Sequence, residues 1–241
     1  KLSRMLSMGS WVMGQEAPPH GPAYKRGNMN QEEIAVVVTA VGETMPGYSR
    51  YTMPFVYEYC RRNNYRLMYL DLPPAEVKRN PSWQKLLVYH ILPESVNMAV
   101  LIDMDVVPMP WADPIHEVLQ PDAVNCVLLK DVHQCGVLGL PRSQRQWAED
   151  IYATDEWERQ GGWYEQKPVN QSLHSHEAPV HLLDKSWNVI PGRRFRVRDV
   201  KGWPCNFLHC AGQQRNNRKF SRLKQVYRQY VSQCWPSAVG S

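Results

Sequence analysis

No stretch of this 241-residue chain approaches the length of an apolar membrane-crossing helix, and pure apolar runs such as Met98 to Ile102 are far too short to span a bilayer. A protein that spans no membrane and is soluble is therefore expected. The N-terminus lacks a convincing signal peptide, because its apolar positions are interrupted by Arg4, Ser7, Gly9 and Ser10. Six cysteines (Cys60, Cys126, Cys135, Cys205, Cys210, Cys234) include no C-x-x-C pair and no zinc-ligand spacing. Scattered through predicted core and helix positions, they read as reduced thiols, which predicts a cytoplasmic or other reducing compartment. Internal repeats and low-complexity tracts are also missing.

What the chain does have is length enough for one good core, most simply a single α/β domain with appendages. Its net charge of +5 hides an asymmetry. Between Pro191 and Tyr230 stand eleven basic residues (Arg193, Arg194, Arg196, Arg198, Lys201, Arg215, Arg218, Lys219, Arg222, Lys224, Arg228) against one acid, Asp199, so that segment carries +10 and the remainder −5. Such a block is ordinarily a solvated face. Its density also suits an anionic ligand, either a nucleotide diphosphate or an anionic acceptor.

Residues 1–30, rich in Gly, Pro and Asn, read as an N-terminal arm, residues 31–234 as the folded domain and 235–241 as a tail. Order is expected to begin at Ile34 to Thr39, a β-branched run with the composition of a buried parallel strand. A helix over Tyr51 to Asn63 and a strand over Arg66 to Leu70 follow. Ser82 can N-cap a helix over Trp83 to Leu92, and a strand then ends in Asp103. This alternation predicts a mostly parallel, nucleotide-binding sheet flanked by helices. Further on, Val124 to Leu129 and Gly136 to Leu140 read as strands and Ser143 to Tyr152 as a helix. Asn217 to Gln233 has helical composition, with Phe220, Leu223, Val226 and Tyr227 on one stripe suited to core packing.

The most informative feature is Asp103-Met104-Asp105 at the end of the apolar run. A strand delivering two carboxylates one residue apart at its C-terminal edge builds an oxygen site for a hard divalent cation such as Mn²⁺ or Mg²⁺ carrying a diphosphate. Open α/β sheets bind their ligands at that edge. The bland reading makes both residues turn acids capping the next segment.

In order, the motifs are the strand ending Thr39-Ala40-Val41, the helical Trp83-Gln84-Lys85-Leu86, Leu101-Ile102-Asp103-Met104-Asp105, Gln134-Cys135-Gly136-Val137 followed by Arg142-Ser143 and Trp147, Asn170-Gln171-Ser172-Leu173, and His209-Cys210-Ala211-Gly212-Gln213-Gln214-Arg215. From Ile34 to about Arg218 this series resembles the GT-A fold glycosyltransferases, particularly the retaining glycogenin-like group and the related xyloglucan and galactomannan transferases. The resemblance implies a Rossmann-like α/β domain that moves a sugar, with UDP-hexose the expected donor, to an acceptor hydroxyl with the help of Mn²⁺ or Mg²⁺. It implies that Asp103, Asp105 and His209 hold the metal. Thr39, Ala40, Val41, Lys85, Met104, Gly212 and Arg215 would bind the nucleotide, and Gln134, Gly136, Asn170 and Gln171 the sugar, the last pair being the catalytic candidates. Arg215 stands where the family has Lys, and its planar fork can grip phosphate oxygens bidentately.

Two departures from the family pattern bear on mechanism. Asn170-Gln171 replaces an Asp-Gln, which removes the carboxylate that a covalent glycosyl-enzyme would use there; the amides can still hydrogen-bond sugar hydroxyls and stabilise a polarised transition state. Gln134-Cys135-Gly136 replaces an Asn-x-Gly. A glycoside hydrolase would need a flanking carboxylate pair, and Glu149/Asp150 and Glu156/Glu158 look like exposed helix acids. A metal-dependent nucleotidyltransferase or phosphatase would leave the His209-to-Arg215 motif unexplained. Two alternatives rest on the basic segment with Trp203, Phe207 and Phe220: a non-catalytic nucleic-acid-binding module, and a glycosyltransferase acting on a modified DNA base flipped out of the duplex. The acceptor is thus expected to be a glycan or a modified DNA base, and an anionic one fits the charge.

Overall fold

The computed structural model describes residues 29–39, 45–70, 81–154, 165–192, 196–211 and 216–234. Six strands form one sheet in the order β2-β1-β3-β6-β5-β7: β1 (Ile34–Thr39), β2 (Arg66–Leu70), β3 (Met98–Asp103), β5 (Val124–Leu129), β6 (Val132–Pro141) and β7 (Val180–Leu183). A separate two-stranded ribbon pairs β4 (Val106–Pro108) with β8 (Phe207–His209). Four α-helices accompany them: α1 (Met45–Arg62), α2 (Arg145–Ala153), α3 (Gln166–His174) and α4 (Asn216–Cys234).

The sheet is mostly parallel because β1 lies beside both β2 and β3 in parallel register and β5 beside β7. Only β6 runs against its neighbours, pairing antiparallel with β3 and β5. Strands β5 and β6 are joined by a tight turn at Lys130-Asp131, both with positive φ, the backbone that a two-residue hairpin requires.

Every side chain of β1 is buried, as expected of a central strand covered on both faces. Pleat alternation divides it. Ile34, Val36 and Val38 join Met98, Val100, Ile102, Phe55 and Leu223 in one core cluster, while Ala35 and Val37 join Leu101, Trp83, Leu86, Trp147 and Val169 in the other. Helices α1 and α4 thus cover one face, and the segment Pro81–His90 with α2 and α3 covers the opposite face. Leu223 and Val226 of the predicted stripe are buried in the first cluster, and Tyr227 packs edge-on against Tyr51 and Phe55.

Some elements differ from expectation. The first helix begins at Met45 rather than near Tyr51, placing Pro46 in the first turn, where its missing N–H costs nothing. Pro81–His90 is a 3-10 helix. The reversed strand begins at Val132 rather than Gly136, and β4, β7, β8 and α3 were not anticipated at all.

Candidate active site

Registry brings the chemistry together. Thr39 pairs with Asp103, so the ends of β1 and β3 lie level. In the ribbon, Val106 pairs with His209. The N–H of Cys210 donates to the carbonyl of Asp105 at 2.9 Å, which sets Asp105 beside His209. On the other side Thr52, buried in α1, donates its hydroxyl to the carbonyl of Met104 at 2.8 Å. The acidic turn is therefore tied to one face of the sheet and to the ribbon.

The result is a cluster in which Asp103, Asp105 and His209 each offer one ligand atom, all within 4.8 Å of one another. His209 Nε2 lies 3.4 Å from Asp105 Oδ1, and both side chains are nearly buried, whereas Asp103 is about a third exposed. Two carboxylates and an imidazole, open to solvent on one side, are a donor set that fits a divalent cation such as Mn²⁺ or Mg²⁺. Gly136 completes the fit. A Cβ there would fall well inside contact distance of Cε1 and Nδ1 of His209, so only glycine lets β6 pass beside the ring.

Behind Asp103 sits Lys85, 1 % exposed. Its ammonium donates to Asp103 Oδ1 at 2.6 Å and to the Cys135 carbonyl at 3.0 Å, and pairs with Glu165 Oε1 at 2.7 Å. Burial alone would lower the Lys85 pKa, but the charges of Asp103 and Glu165 outweigh it and raise the pKa above the usual lysine value. Burial, reinforced by Glu165, pushes the adjacent Cys135 thiol well up, so it stays protonated. With three acceptors for three N–H donors, Lys85 is occupied in orienting Asp103. The sequence reading had it touching the diphosphate directly.

Of the other expected site residues, Thr39 is buried at the end of β1, and Met104 has its side chain in the core and its carbonyl taken by Thr52. Gln134 is buried and donates to the Val132 carbonyl at 3.2 Å. Gln171 is exposed on α3. The side-chain oxygen of Asn170 accepts from the backbone N–H of His133 at 2.7 Å and lies 2.9 Å from its Nδ1, so it braces β6 against α3. Ala40, Val41, Gly212 and Arg215 lie outside the described residues.

Glu165, Thr52 and Asn188 were missed. Glu165 immediately precedes α3 without capping it, and from sequence alone it passes for a first-turn acid that suits the helix dipole. Asn188, whose Oδ1 lies 2.9 Å from His209 Nδ1, sits in a segment without a motif. No sequence pattern singles these out, because their partners are 20 or more residues away.

No family model and no curated protein matches the chain. Solved structures do match. A glycosyltransferase involved in glycosylation of the major capsid protein of PBCV-1 superposes with a TM-score of 0.61 at 16 % identity, over 79 % of this chain and 98 % of that one. The glycosyltransferase GlyE of Streptococcus pneumoniae TIGR4 gives 0.55 at 10 % identity, over 85 % of this chain and 64 % of GlyE. The galactosyltransferase LgtC, solved with donor and acceptor sugar analogues, gives 0.50 at 10 % identity, over 81 % and 96 %.

The fold is that of the GT-A glycosyltransferases. Among the described residues no helix is long and apolar enough to cross a membrane, and the six cysteines are buried and form no disulfide.

Proposed function

We propose that this chain is a metal-dependent glycosyltransferase that moves a sugar from a nucleotide-sugar donor, UDP-hexose foremost, to an acceptor hydroxyl with retention of configuration. The observation carrying this reading is the convergence of Asp103, Asp105 and His209 beside the ends of β1 and β3 in a GT-A sheet. A divalent cation held by these three would supply positive charge where the leaving diphosphate gathers negative charge. Arg215 grips the phosphate oxygens, and Lys85, held by Glu165, fixes the carboxylate of Asp103. Thr39, Ala40, Val41, Met104 and Gly212 would bind the nucleotide, and Gln134, Gly136, Asn170 and Gln171 the sugar.

As the anomeric C–O bond to the diphosphate breaks, the sugar becomes oxocarbenium-like. The acceptor hydroxyl enters on the face the diphosphate leaves, forms the new C–O bond, and gives its proton to a phosphate oxygen. No protein base is needed.

A nucleic-acid-binding module is not favoured. Arg222 of the basic segment spends its guanidinium on the carbonyls of Pro191 and Gly192, and the structural neighbours are transferases. Screening UDP-, GDP- and dTDP-sugars for Mn²⁺-dependent hydrolysis and thermal stabilisation tests the proposal. One donor class should both stabilise the protein and be hydrolysed only with metal, and inertness towards all three would refute it.

A further inference from the structure

His209 is held on two sides. On one, the backbone of Gly136 lies so close to the ring that no side chain fits between them. On the other stands Asn188, 2 % exposed, at the end of the 3-10 turn Lys185–Asn188. The turn is N-capped by Asp184, which accepts from the Ser186 N–H at 2.8 Å. It is also laced to β8: the N–H of Val189 donates to the carbonyl of Phe207 and the N–H of His209 to the carbonyl of Val189, both at 2.9 Å. These bonds fix Asn188 relative to the ring.

The contact between them has a direction. Asn188 Oδ1 lies 2.9 Å from His209 Nδ1, and an amide oxygen can only accept. The proton of the neutral imidazole must then sit on Nδ1, which leaves a bare lone pair on Nε2, the nitrogen 3.4 Å from Asp105. Without that acceptor, the Asp105 carboxylate would draw the proton to Nε2, and a protonated nitrogen cannot ligate a cation. The arrangement costs the amide something. Its Nδ2 is buried with no hydrogen-bond partner among the described residues, so the amide is placed for its oxygen and not for its own satisfaction.

We propose that Asn188 is a positioning residue that holds His209 in its Nδ1–H tautomer, keeping Nε2 ready for a divalent cation shared with Asp103 and Asp105. The inference rests on the metal-centre reading above but is testable apart from it. In metal-free protein with ¹⁵N-labelled histidine, at a pH where the imidazole is neutral, long-range ¹H–¹⁵N correlation should place the His209 proton on Nδ1. Asn188→Leu should move it to Nε2 and weaken Mn²⁺ binding, measured by calorimetry, about 10- to 100-fold. Asn188→Asp retains an acceptor and should restore both the tautomer and most of the affinity.

A wild-type proton on Nε2, an unchanged tautomer in Asn188→Leu, or an Asp variant no better than the Leu variant would each overturn the proposal. If the Leu variant does not fold, the wild-type spectrum and the Asp variant decide. Wild-type protein that binds no Mn²⁺ would sink the metal centre instead, while the metal-free spectra would still decide what Asn188 does to the ring.

Discussion

Lys85 and Asp103 meet at 2.6 Å, the ammonium fully enclosed and the carboxylate partly open to solvent. Glu165 closes the other side of the ammonium at 2.7 Å. Removing the cation would leave two carboxylates facing each other with little water. Lys85→Met should therefore destabilise the fold by about 3–5 kcal/mol at neutral pH. The deficit should shrink towards acid pH, where protonating a carboxylate relieves the repulsion between the two. In the wild type the Lys85 pKa is raised. Its contribution is thus fully present below the ordinary lysine value and is lost only above it, so Lys85 imposes no slope around neutrality. Denaturant melts of both proteins from acid to neutral pH measure the difference; a gap that stays constant would contradict the buried triad.

Asp103→Asn and Asp105→Asn should each abolish metal-dependent donor turnover, and Asp103→Asn should also lower the melting transition, because the buried Lys85 ammonium then keeps only Glu165 as a charged partner. His209→Ala should weaken Mn²⁺ and nucleotide binding together, by about 10- to 100-fold. Calorimetry with Mn²⁺ and with nucleotide, beside a turnover assay, checks all three. Near-normal activity in both aspartate variants would remove the metal assignment.

Asn170 is placed to brace His133. Burial lowers the His133 pKa despite the opposing hydrogen bond that its ring donates to the Asn170 oxygen. The folded state therefore favours neutral His133. That preference stabilises the protein above the ordinary histidine value and is lost as pH falls through the lower, folded one. Asn170→Ala should remove the opposing bond, depress the His133 pKa further in an NMR titration, and cost about 1–3 kcal/mol. Loss of donor turnover beyond what that destabilisation explains would assign Asn170 to catalysis; unchanged turnover would assign it to the scaffold.

The basic segment exceeds what one diphosphate needs. Arg196 and Lys201 are exposed, and Arg193 and Arg194 adjoin them in sequence. Reversing Arg193, Arg194 and Arg196 to Glu should impair transfer while sparing donor hydrolysis, and acceptor binding should fall steeply with salt. Transfer rates equal to the parent's across low and moderate salt would mean that the acceptor is neutral.

The Asp103–Asp105–His209 cluster was legible in part because its two carboxylates stand at and just past the end of a strand with a strong local signature. The run Met98 to Ile102 announces a buried strand, and a carboxylate at its end has a defined place. His209 could be assigned only through the motif resemblance, since β8 is three residues long and its pairing with Val106 spans about a hundred positions. The reversal of β6 was invisible for a related reason: a strand buried on both faces has the same composition in either direction. Lys85 illustrates the converse. A lysine in an amphipathic segment reads as solvated, and only the carboxylates that converge from β3 and the start of α3 make its burial tolerable.

The pairing of β4 with β8 also orders events in time. During synthesis Asp103 and Asp105 emerge roughly a hundred residues before His209, and two carboxylates on an unclosed loop hold a divalent ion weakly. If the cluster holds a divalent ion, full affinity would arise only once residues 207–209 have docked against 106–108. A bound ion would then fasten the two ends of that long loop, so that occupancy reports completed folding and completed folding precedes occupancy.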